Sequence, residues 1–354
     1  ARGSNTGAES FVENHYSLLD SPREWYFDRN SSTLYYMANG TETPPANGWV
    51  GSHLETVLVV NGTRQAPVRN HKLIGLTVTH TAPVFLKPYM ASLSGSDWAI
   101  RPTGAVMLIG TENSLVQDTL FDGVGGNGVM IKGYNRNTTV ADSEFIWVGE
   151  SAIAAIGSTS KIDGFTNANQ PRGNQILRNL IHEVGIFGKQ TAGFVQQMSC
   201  QTTIKNNILF NGPRAGINIL DGFGGGNNIE ANVAFNWVRE TGDHGPFNSW
   251  DRQPYLTDIR MPGKPSLVPA QSNITFNLFF NSYSSTWPID HDDGSCYYYD
   301  TKNLLIYGGY KNYLGHSKVV KENIYVHPEW RAGTFGGNVG MCVQDVGVTP
   351  TSGW

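Results

Sequence analysis

Short stretches of alternating apolar and polar residues recur through the middle of the chain, and each follows an asparagine. Asn179, Asn207 and Asn232 fall in one column of this repeat, with spacings of 28 and 25 residues. A unit this short cannot enclose a core of its own, and self-similarity at such a period is typical of a solenoid. The units are rich in glycine and β-branched residues, which favours strands over helical hairpins. The pattern therefore predicts an all-β fold, a right-handed parallel β-helix.

The same pattern continues on both sides of this region and predicts further strands. They are Val57–Val60, Leu73–Val78, Ala105–Ile109, Ser114–Phe121, Gly128–Lys132 and Thr138–Phe145. Asp118 and Asp142 are expected to occupy the asparagine column of the early coils. The interval from Asn277 to Asn323 is long enough for nearly two coils.

The chain is expected to have three parts. Residues 1–56 form an N-terminal extension with an aromatic β-hairpin at 25–36, residues 57–326 form the β-helix with long projecting loops, and residues 327–354 form an irregular segment that covers its C-terminal end. Asparagine tolerates the left-handed region and bonds readily to nearby backbone, so the column predicts a ladder of hydrogen bonds from coil to coil.

Composition narrows the class of protein. Glycine accounts for 41 of 354 residues and charged residues for 15%, below the usual value of about 25%. The net charge of −4 gives no basic footprint for nucleic acid, and no apolar run reaches the length of a membrane span. No signal-like segment follows Ala1, which indicates a mature, processed or partial chain.

Several features are typical of an extracellular, secreted glycoprotein. Of the three cysteines, Cys296 and Cys342 are expected to form a disulfide, and Cys200 is expected to be a buried free thiol. Five N-x-S/T sequons are candidate sites of N-glycosylation: Asn30, Asn39, Asn61, Asn137 and Asn273.

Two acidic segments, 239–252 and 287–295, each combine carboxylates, a histidine and a tryptophan. Adjacent coils of a β-helix stand about 4.8 Å apart, so acids on neighbouring coils reach separations that glycosidases use. The catalytic candidates are Asp243, His244, Asp251, Asp290, His291 and Asp292. Trp250 and Trp287 offer flat faces to a sugar ring, and the other candidates for substrate binding are Arg252, Lys189 and Gln190.

A simpler interpretation makes 290–294 an acidic turn, or a calcium site, and makes Asp243–His244 a loop fixed by hydrogen bonds. Apart from possible calcium, no cofactor and no metal ligand is expected.

Several longer motifs together resemble one family. Ser21–Asp28, Gly188–Gln190, Asn211–Asn218, Glu240–Arg252 and Asp290–Ser295 are similar to the right-handed β-helix proteins grouped around glycoside hydrolase family 141. The resemblance spans roughly residues 14–330. It implies hydrolysis of fucosyl or xylosyl linkages by two Asp residues. Carried over by motif, these are Asp251 and one of the aspartates within 290–293, with Asp292 the first choice, and Asp243 and His244 in support.

The sequence departs from this family in ways that suggest other functions. Arg23 stands where the family has glycine, and only about twenty residues precede the hairpin, where the family has further coils. An uncovered end of the solenoid would favour end-to-end contacts between copies, so a structural subunit of an extracellular filament or coat is the alternative to a glycan-cleaving enzyme. A weaker alternative is a polysaccharide lyase, in which His291 acts as a base among carboxylates.

Overall fold

The structure is a computed structural model that describes residues 12–90, 98–158, 169–221, 225–241, 243–251, 270–281, 287–292 and 294–328. The chain divides into two compact units, Ala1–Gly51 and Ser52–Trp354. Among the described residues, no helix combines the length and hydropathy needed to span a bilayer.

The first unit contains the predicted aromatic hairpin. A short 3-10 helix at Tyr16–Leu18 precedes two antiparallel strands, β1 (Trp25–Asp28) and β2 (Thr33–Tyr36). The Tyr16 ring packs edge-on against Tyr26 and Tyr35, at centroid distances of 5.6 and 5.2 Å. These edge-to-face contacts stabilise the hairpin, since a two-stranded ribbon is marginal alone.

The second unit is built of short strands. In chain order they are β3 (Leu58–Asn61), β4 (Val68–Arg69), β5 (Lys72–Ile74), β6 (Thr77–Thr79), β7 (Gly104–Glu112), β8 (Leu115–Gln117), β9 (Leu120–Asp122), β10 (Asn127–Arg136), β11 (Thr139–Ala141), β12 (Glu144–Ile146), β13 (Ile153–Ile156), β14 (Pro171–Arg172), β15 (Gln175–Leu177), β16 (Leu180–His182), β17 (Ala192–Gln197), β18 (Thr203–Lys205), β19 (Ile208–Phe210), β20 (Ala215–Leu220), β21 (Asn228–Glu230), β22 (Val233–Phe235), β23 (Phe247–Trp250), β24 (Ser272–Thr275), β25 (Leu278–Phe280), β26 (Ile289–His291), β27 (Tyr298–Thr301), β28 (Leu304–Ile306), β29 (Tyr310–Asn312), β30 (Val319–Lys321) and β31 (Ile324–Val326).

These strands stack into three parallel sheets, which confirms the predicted parallel β-helix. The first sheet runs β3-β7-β10-β13-β17-β20-β23-β26-β29, with β4 and β14 paired at its side. The second runs from β5 to β30 and the third from β6 to β31, each with one strand per coil. Consecutive strands of a sheet come from consecutive coils, so residues far apart in sequence become neighbours about 4.8 Å apart.

The asparagine ladder lies at the corner between the second and third sheets. The backbone N–H of each asparagine donates to the side-chain Oδ1 of the next, at 2.9–3.0 Å, from Asn179 through 207, 232, 277 and 303 to Asn323. Asn303 fills the long interval between Asn277 and Asn323, so that interval does hold two coils. The predicted ladder is confirmed.

The left-handed backbone position at this corner belongs to the residue before each ladder member. Asp118 and Asp142 have φ of 49° and 51°, whereas the ladder positions of their coils are held by Thr119 and Ser143. The prediction that the two aspartates occupy the column was therefore wrong by one residue. The same turn splits the predicted single strands at 73–78, 114–121 and 138–145 into two strands each, because the chain changes sheet there.

Apolar side chains fill the inside of the coils and also cover part of the outside. Inside, stacked rings such as Phe121 and Phe145, 4.5 Å apart, follow the strand spacing. On the outer face of the first sheet a second apolar cluster joins Trp98 and Ile100 to Met130, Ala154, Ile156, Ala192, Val195, Ala215 and Leu220. The sheet residues of this outer cluster lie on β10, β13, β17 and β20, in the middle of the first sheet.

The outer face of the third sheet is apolar as well, but it is partly exposed. Phe210 stacks on Phe235 and on His182 at 4.8 Å. Ile208, Phe280 and Ile324 on the same face are exposed by 41–63%. Exposed contiguous apolar surface of this kind is typical of interaction surfaces.

The predicted modification sites fall in different environments. Cys200 is a buried free thiol, as expected, and burial raises its pKa to about 11. Cys296 is buried too, and Cys342 lies outside the described residues, so their disulfide stays a prediction. Of the five sequon asparagines, Asn273 is half-buried and the other four are exposed.

Candidate functional site

Four polar residues form one row on the outer face of the first sheet. Asn218 of β20, Asn248 of β23, Asp290 of β26 and Lys311 of β29 are in register on consecutive strands. Their sequence neighbours, such as Ile289 and Tyr310, belong to the inner core. Because side chains alternate along a strand, the four polar side chains project outward, about 4.8 Å apart.

Lys311 lies at the centre of three carboxylates. Its Nζ is 3.2 Å from Asp290 Oδ1, 3.0 Å from Asp292 Oδ1 and 3.6 Å from Asp243 Oδ1. It also lies 4.6 Å from the ring centroid of Trp287, close enough for a cation–π contact. The side chain of Lys311 is 5% exposed and that of Asp290 is fully buried, whereas Asp243 is 43% exposed. We call Asp243, His244, Asp290, Asp292 and Lys311 the acidic cluster.

Within the acidic cluster, His244 contacts Asp243 and Asp290 on one side and Arg214 and Trp98 on the other. Its Nδ1 is 3.2 Å from Asp243 Oδ2 and 3.8 Å from Asp290 Oδ2, and its Nε2 is 2.9 Å from a terminal nitrogen of Arg214. The Arg214 guanidinium lies 5.0 Å from the Trp98 ring centroid, and that ring also packs against His244. The imidazole is therefore fixed on two sides, and its orientation toward the carboxylates is set by the fold.

The carboxylates of the acidic cluster differ in their affinity for a proton. Burial raises the pKa of Asp290 to about 6, because desolvation outweighs the attraction of Lys311 and the nearby charge of Asp292 acts in the same direction as burial. For Asp243 burial also acts upward, but the hydrogen bond and charge of His244, together with Lys311, lower its pKa below the usual range. Burial acts to lower the pKa of Lys311, yet the three carboxylates raise it overall, so Lys311 stays protonated at neutral pH.

The geometry bears on the calcium alternative. One atom each from Asp243, His244 and Asp290 lie within 4.8 Å of one another, a grouping compatible with a metal ion. However, the Lys311 ammonium is within 3.6 Å of both carboxylates and supplies the positive charge there. Calcium also prefers an all-oxygen ligand set, which a histidine does not give. The two carboxylates and the histidine therefore suit the ammonium group of Lys311, which is already there, better than they suit a calcium ion.

Two of the predicted catalytic residues lie on the inner side of the coil wall. The His291 ring is hydrogen-bonded to Ser249 Oγ at 2.6 Å and to Asp300 Oδ2 at 2.7 Å, and all three residues are fully buried. Burial lowers the pKa of His291. The order Ser–His–Asp matches a nucleophile with its base, but it is enclosed in the core, where substrate has no access.

Asp251 is the second of these inner residues. It follows β23 on the same side as Ser249, and its Oδ2 accepts a hydrogen bond of 3.5 Å from the core residue Tyr298. Asp292 instead contacts the outward-facing Lys311. The alternation of side chains thus places the predicted partners Asp251 and Asp292 on opposite sides of the wall, and the geometry does not support them as a pair.

The predicted substrate-binding residues are also dispersed. Trp287 is buried against Lys311, and Trp250 is half-buried against the outer apolar cluster. Lys189, which precedes β17, forms an exposed ion pair of 2.9 Å with Glu240, and Gln190 follows it in the sequence. Arg252 lies outside the described residues, and so does residue 293 of the predicted acidic turn.

Sequence reasoning missed Lys311, Arg214, Asn218 and Asn248. Three of them, Arg214, Asn218 and Asn248, do lie in the motifs 211–218 and 240–252. A constant distance from the asparagine ladder would have placed the row on one face, but the chain has no such constant distance. Asn218, Asn248, Asp290 and Lys311 follow their ladder asparagines by 11, 16, 13 and 8 residues. The turns between the third and first sheets differ in length from coil to coil, so register appears only in the folded chain.

Comparison with known proteins gives the fold. No protein-family model and no curated protein matches the sequence. A solved structure described as "Glycoside hydrolase" superposes with a TM-score of 0.57 at 17% identity, covering 91% of this chain and 58% of that one. A second, "The complex structure of XylC with xylose", gives a TM-score of 0.50 at 12% identity, with coverage of 86% and 49%. This chain thus spans about half the length of these structures. At such identities the likeness shows the fold alone, a parallel β-helix.

Proposed function

We propose that this protein is a carbohydrate-active enzyme that hydrolyses a glycosidic bond at the acidic cluster. The observation that carries the proposal is a pair of nearby carboxyl groups whose pKa values are shifted in opposite directions: that of Asp290 is raised and that of Asp243 is lowered. An oxygen of each lies within 4.8 Å of the other. Glycosidases need one carboxyl group to hold a proton and another to be ionised, and their separation in retaining enzymes is about 5–5.5 Å.

In the proposed reaction Asp290 is the acid and Asp243 is the nucleophile. Asp290 gives its proton to the glycosidic oxygen while a carboxylate oxygen of Asp243 attacks the anomeric carbon, so the leaving alcohol departs and a glycosyl ester forms. Asp290, now ionised, takes a proton from water, and that water attacks the anomeric carbon and releases Asp243. Lys311 and Asp292 do not exchange protons in this scheme: Lys311 holds Asp290 in place, and Asp292 holds Lys311.

The substrate class is supported by likeness. Two proteins with the same fold are described as a glycoside hydrolase and as a complex with xylose. The motif resemblance to glycoside hydrolase family 141 implies fucosyl or xylosyl linkages. We therefore propose xylose- or fucose-containing glycans outside the cell as the first substrates to test.

The test is hydrolysis of a panel of such glycans by the parent protein and by Asp290→Asn and Asp243→Asn. Each substitution is expected to reduce kcat by at least a hundredfold, because general acid catalysis and nucleophilic catalysis each contribute on that scale or more. Asp118→Asn is the matched control, since Asp118 lies at the corner of the second and third sheets in a left-handed conformation that asparagine also tolerates. Full turnover by both cluster variants would refute the proposed pair. A product with the absorbance of an unsaturated uronate would indicate a lyase instead.

One observation favours a second function, a structural subunit of an extracellular assembly. The outer face of the third sheet exposes apolar side chains, among them Ile208, Phe280 and Ile324. If this face joins copies side by side, purified protein forms regular filaments or sheets in electron micrographs, and Phe280→Lys abolishes them. A monodisperse monomer in light scattering at high concentration would contradict this function.

A further inference from the structure

Two buried amide side chains next to the acidic cluster have no hydrogen-bond partner. Both Nδ2 and Oδ1 of Asn218 and of Asn248 are buried and unpaired in the part of the chain that the structure describes, and both residues are fully buried. Their neighbours Ile217, Ile219 and Phe247 are in the core, so the amides project to the opposite, outer face.

Burying an unpaired amide lowers the stability of the folded protein. An unpaired buried amide loses its hydrogen bonds to water and gains none in return, so buried polar groups nearly always have a partner. The asparagines of the ladder, in the same coils, each make several bonds. The contrast indicates that Asn218 and Asn248 are held ready for a ligand, to which each offers two N–H donors and one carbonyl acceptor.

The row that carries these amides has one polar end and one apolar end. From Lys311 it passes through Asp290, Asn248 and Asn218, and the next residues in register are Val195 and Ala154. Both apolar residues pack in the outer cluster with Trp98, which is 1% exposed. A ligand that reaches Asn218 therefore meets a closed apolar wall.

The other end of the row has contact with solvent. Asp243 is 43% exposed and Asp292 is 13% exposed, while Asp290 and both amides are fully buried. The distance from Asp290 to Asn218 is two strand spacings, about 10 Å. Among the described residues of the row and its acidic cluster, Asp243 and Asp292 are the ones that reach solvent, so a hydroxyl-rich ligand would approach the amides past them.

We infer that Asn248 and Asn218 bind the terminal sugar unit of a glycan, whose hydroxyl groups pair with the two amides, and that the wall at Val195 and Trp98 makes the protein act on chain ends. This inference rests on the proposed hydrolase function and specifies it as cleavage from an end. Polymer that continues in both directions does not fit this inference, because in the described part of the chain the row beyond Asn218 continues with the buried apolar residues Val195 and Ala154.

The first test measures binding and stability together. Free xylose, fucose, galactose, glucose and mannose are titrated by ligand-observed NMR against the parent, Asn218→Leu and Asn248→Leu. At least one sugar is expected to bind the parent, with a tenfold or greater loss of affinity in each variant and a melting temperature that is unchanged or higher. Removing an unpaired buried amide does not destabilise a fold, whereas removing a paired one does. Asn228→Leu, on the second sheet of the same coil as Asn218, is the control and is expected to leave sugar affinity unchanged.

The outcomes separate this inference from the proposed function. Unchanged sugar affinity in both variants, a melting temperature several degrees lower with binding intact, or no binding of any of the five sugars would each overturn the inference. The second test digests labelled oligosaccharides of two to six units, where release of single units supports end cleavage. Internal fragments would refute end cleavage while leaving the hydrolase function in place. Sugar binding that depends on both amides, without any hydrolysis, would support the end-binding site and refute the hydrolase.

Discussion

Replacing Asp290 by asparagine should change the pH dependence of stability in a direction that the buried site fixes. Burial raises the pKa of Asp290 from 3.8 to about 6 in the folded protein. A raised carboxyl pKa favours the protonated folded state, so this contribution is fully present below pH 3.8 and is lost as the pH rises through 6. At 1.36 kcal/mol per pKa unit the whole change is about 3 kcal/mol, of which about 2 kcal/mol falls between pH 4 and pH 8.

The assay is urea unfolding of the parent and of Asp290→Asn at pH 4, 5, 6, 7 and 8. Asparagine does not titrate, so the free energy of unfolding of the variant relative to the parent should increase by about 2 kcal/mol from pH 4 to pH 8. Asp118→Asn supplies the baseline, because it removes a carboxyl group far from the acidic cluster. A difference between parent and Asp290→Asn that is flat, or that falls with rising pH, would refute the raised pKa and with it the role of Asp290 as the acid.

Three further predictions follow from other contacts. Lys311→Met should abolish hydrolysis and lower the urea midpoint more at pH 8 than at pH 5. At pH 8 the carboxylates are ionised, so losing the Lys311 ammonium leaves buried charge without a partner. An equal loss of the urea midpoint at pH 5 and pH 8 would contradict this. Asn207→Ala should cost about 2–4 kcal/mol of unfolding free energy, since it leaves neighbouring buried backbone groups unpaired, whereas Asn323→Ala near the end of the ladder should cost less. Protein secreted from a eukaryotic host should lose mass on treatment with peptide N-glycosidase, with the half-buried Asn273 the least modified of the five sequons by peptide mapping.

The repeat could be predicted from sequence because it depends on local chemistry. Each ladder asparagine precedes an apolar strand by a fixed short distance, so the column at 179, 207 and 232 gives the strand order and the stacking of coils. Threonine and serine take the same position in the earlier coils, at Thr119 and Ser143. The Ser143 hydroxyl accepts from the backbone N–H of Thr119, as an asparagine Oδ1 does, whereas the Thr119 hydroxyl donates to the Gln117 carbonyl. Because Asp resembles Asn, the adjacent Asp118 and Asp142 are predicted for the column, but these two residues occupy the left-handed turn position before it.

Four of the five residues of the acidic cluster could be predicted from the sequence. Asp243, His244, Asp290 and Asp292 stand out as acidic, polar segments in a chain with few charges. Lys311 does not, because it lies on a strand at a distance from its ladder asparagine that no other coil repeats. Which side of the wall a residue faces also depends on strand register, and a shift of one residue exchanges inside for outside. That is why Asp251 and His291, in the same acidic segments, lie on the inner side.

The asparagine ladder is directional, and this has a consequence for shortened chains. In every rung from Asn179 to Asn323, the backbone N–H of the asparagine on one coil donates to the side-chain oxygen of the asparagine on the following coil. Removing coils from the C-terminal side strips the acceptor from a buried N–H at whichever rung the cut falls. Removing them from the N-terminal side instead takes the Ile176 carbonyl from the side-chain N–H of Asn207, which keeps Asn232 Oδ1 as a partner. The backbone N–H of a ladder asparagine therefore loses its partner when coils are removed from the C-terminal side and keeps it when they are removed from the N-terminal side.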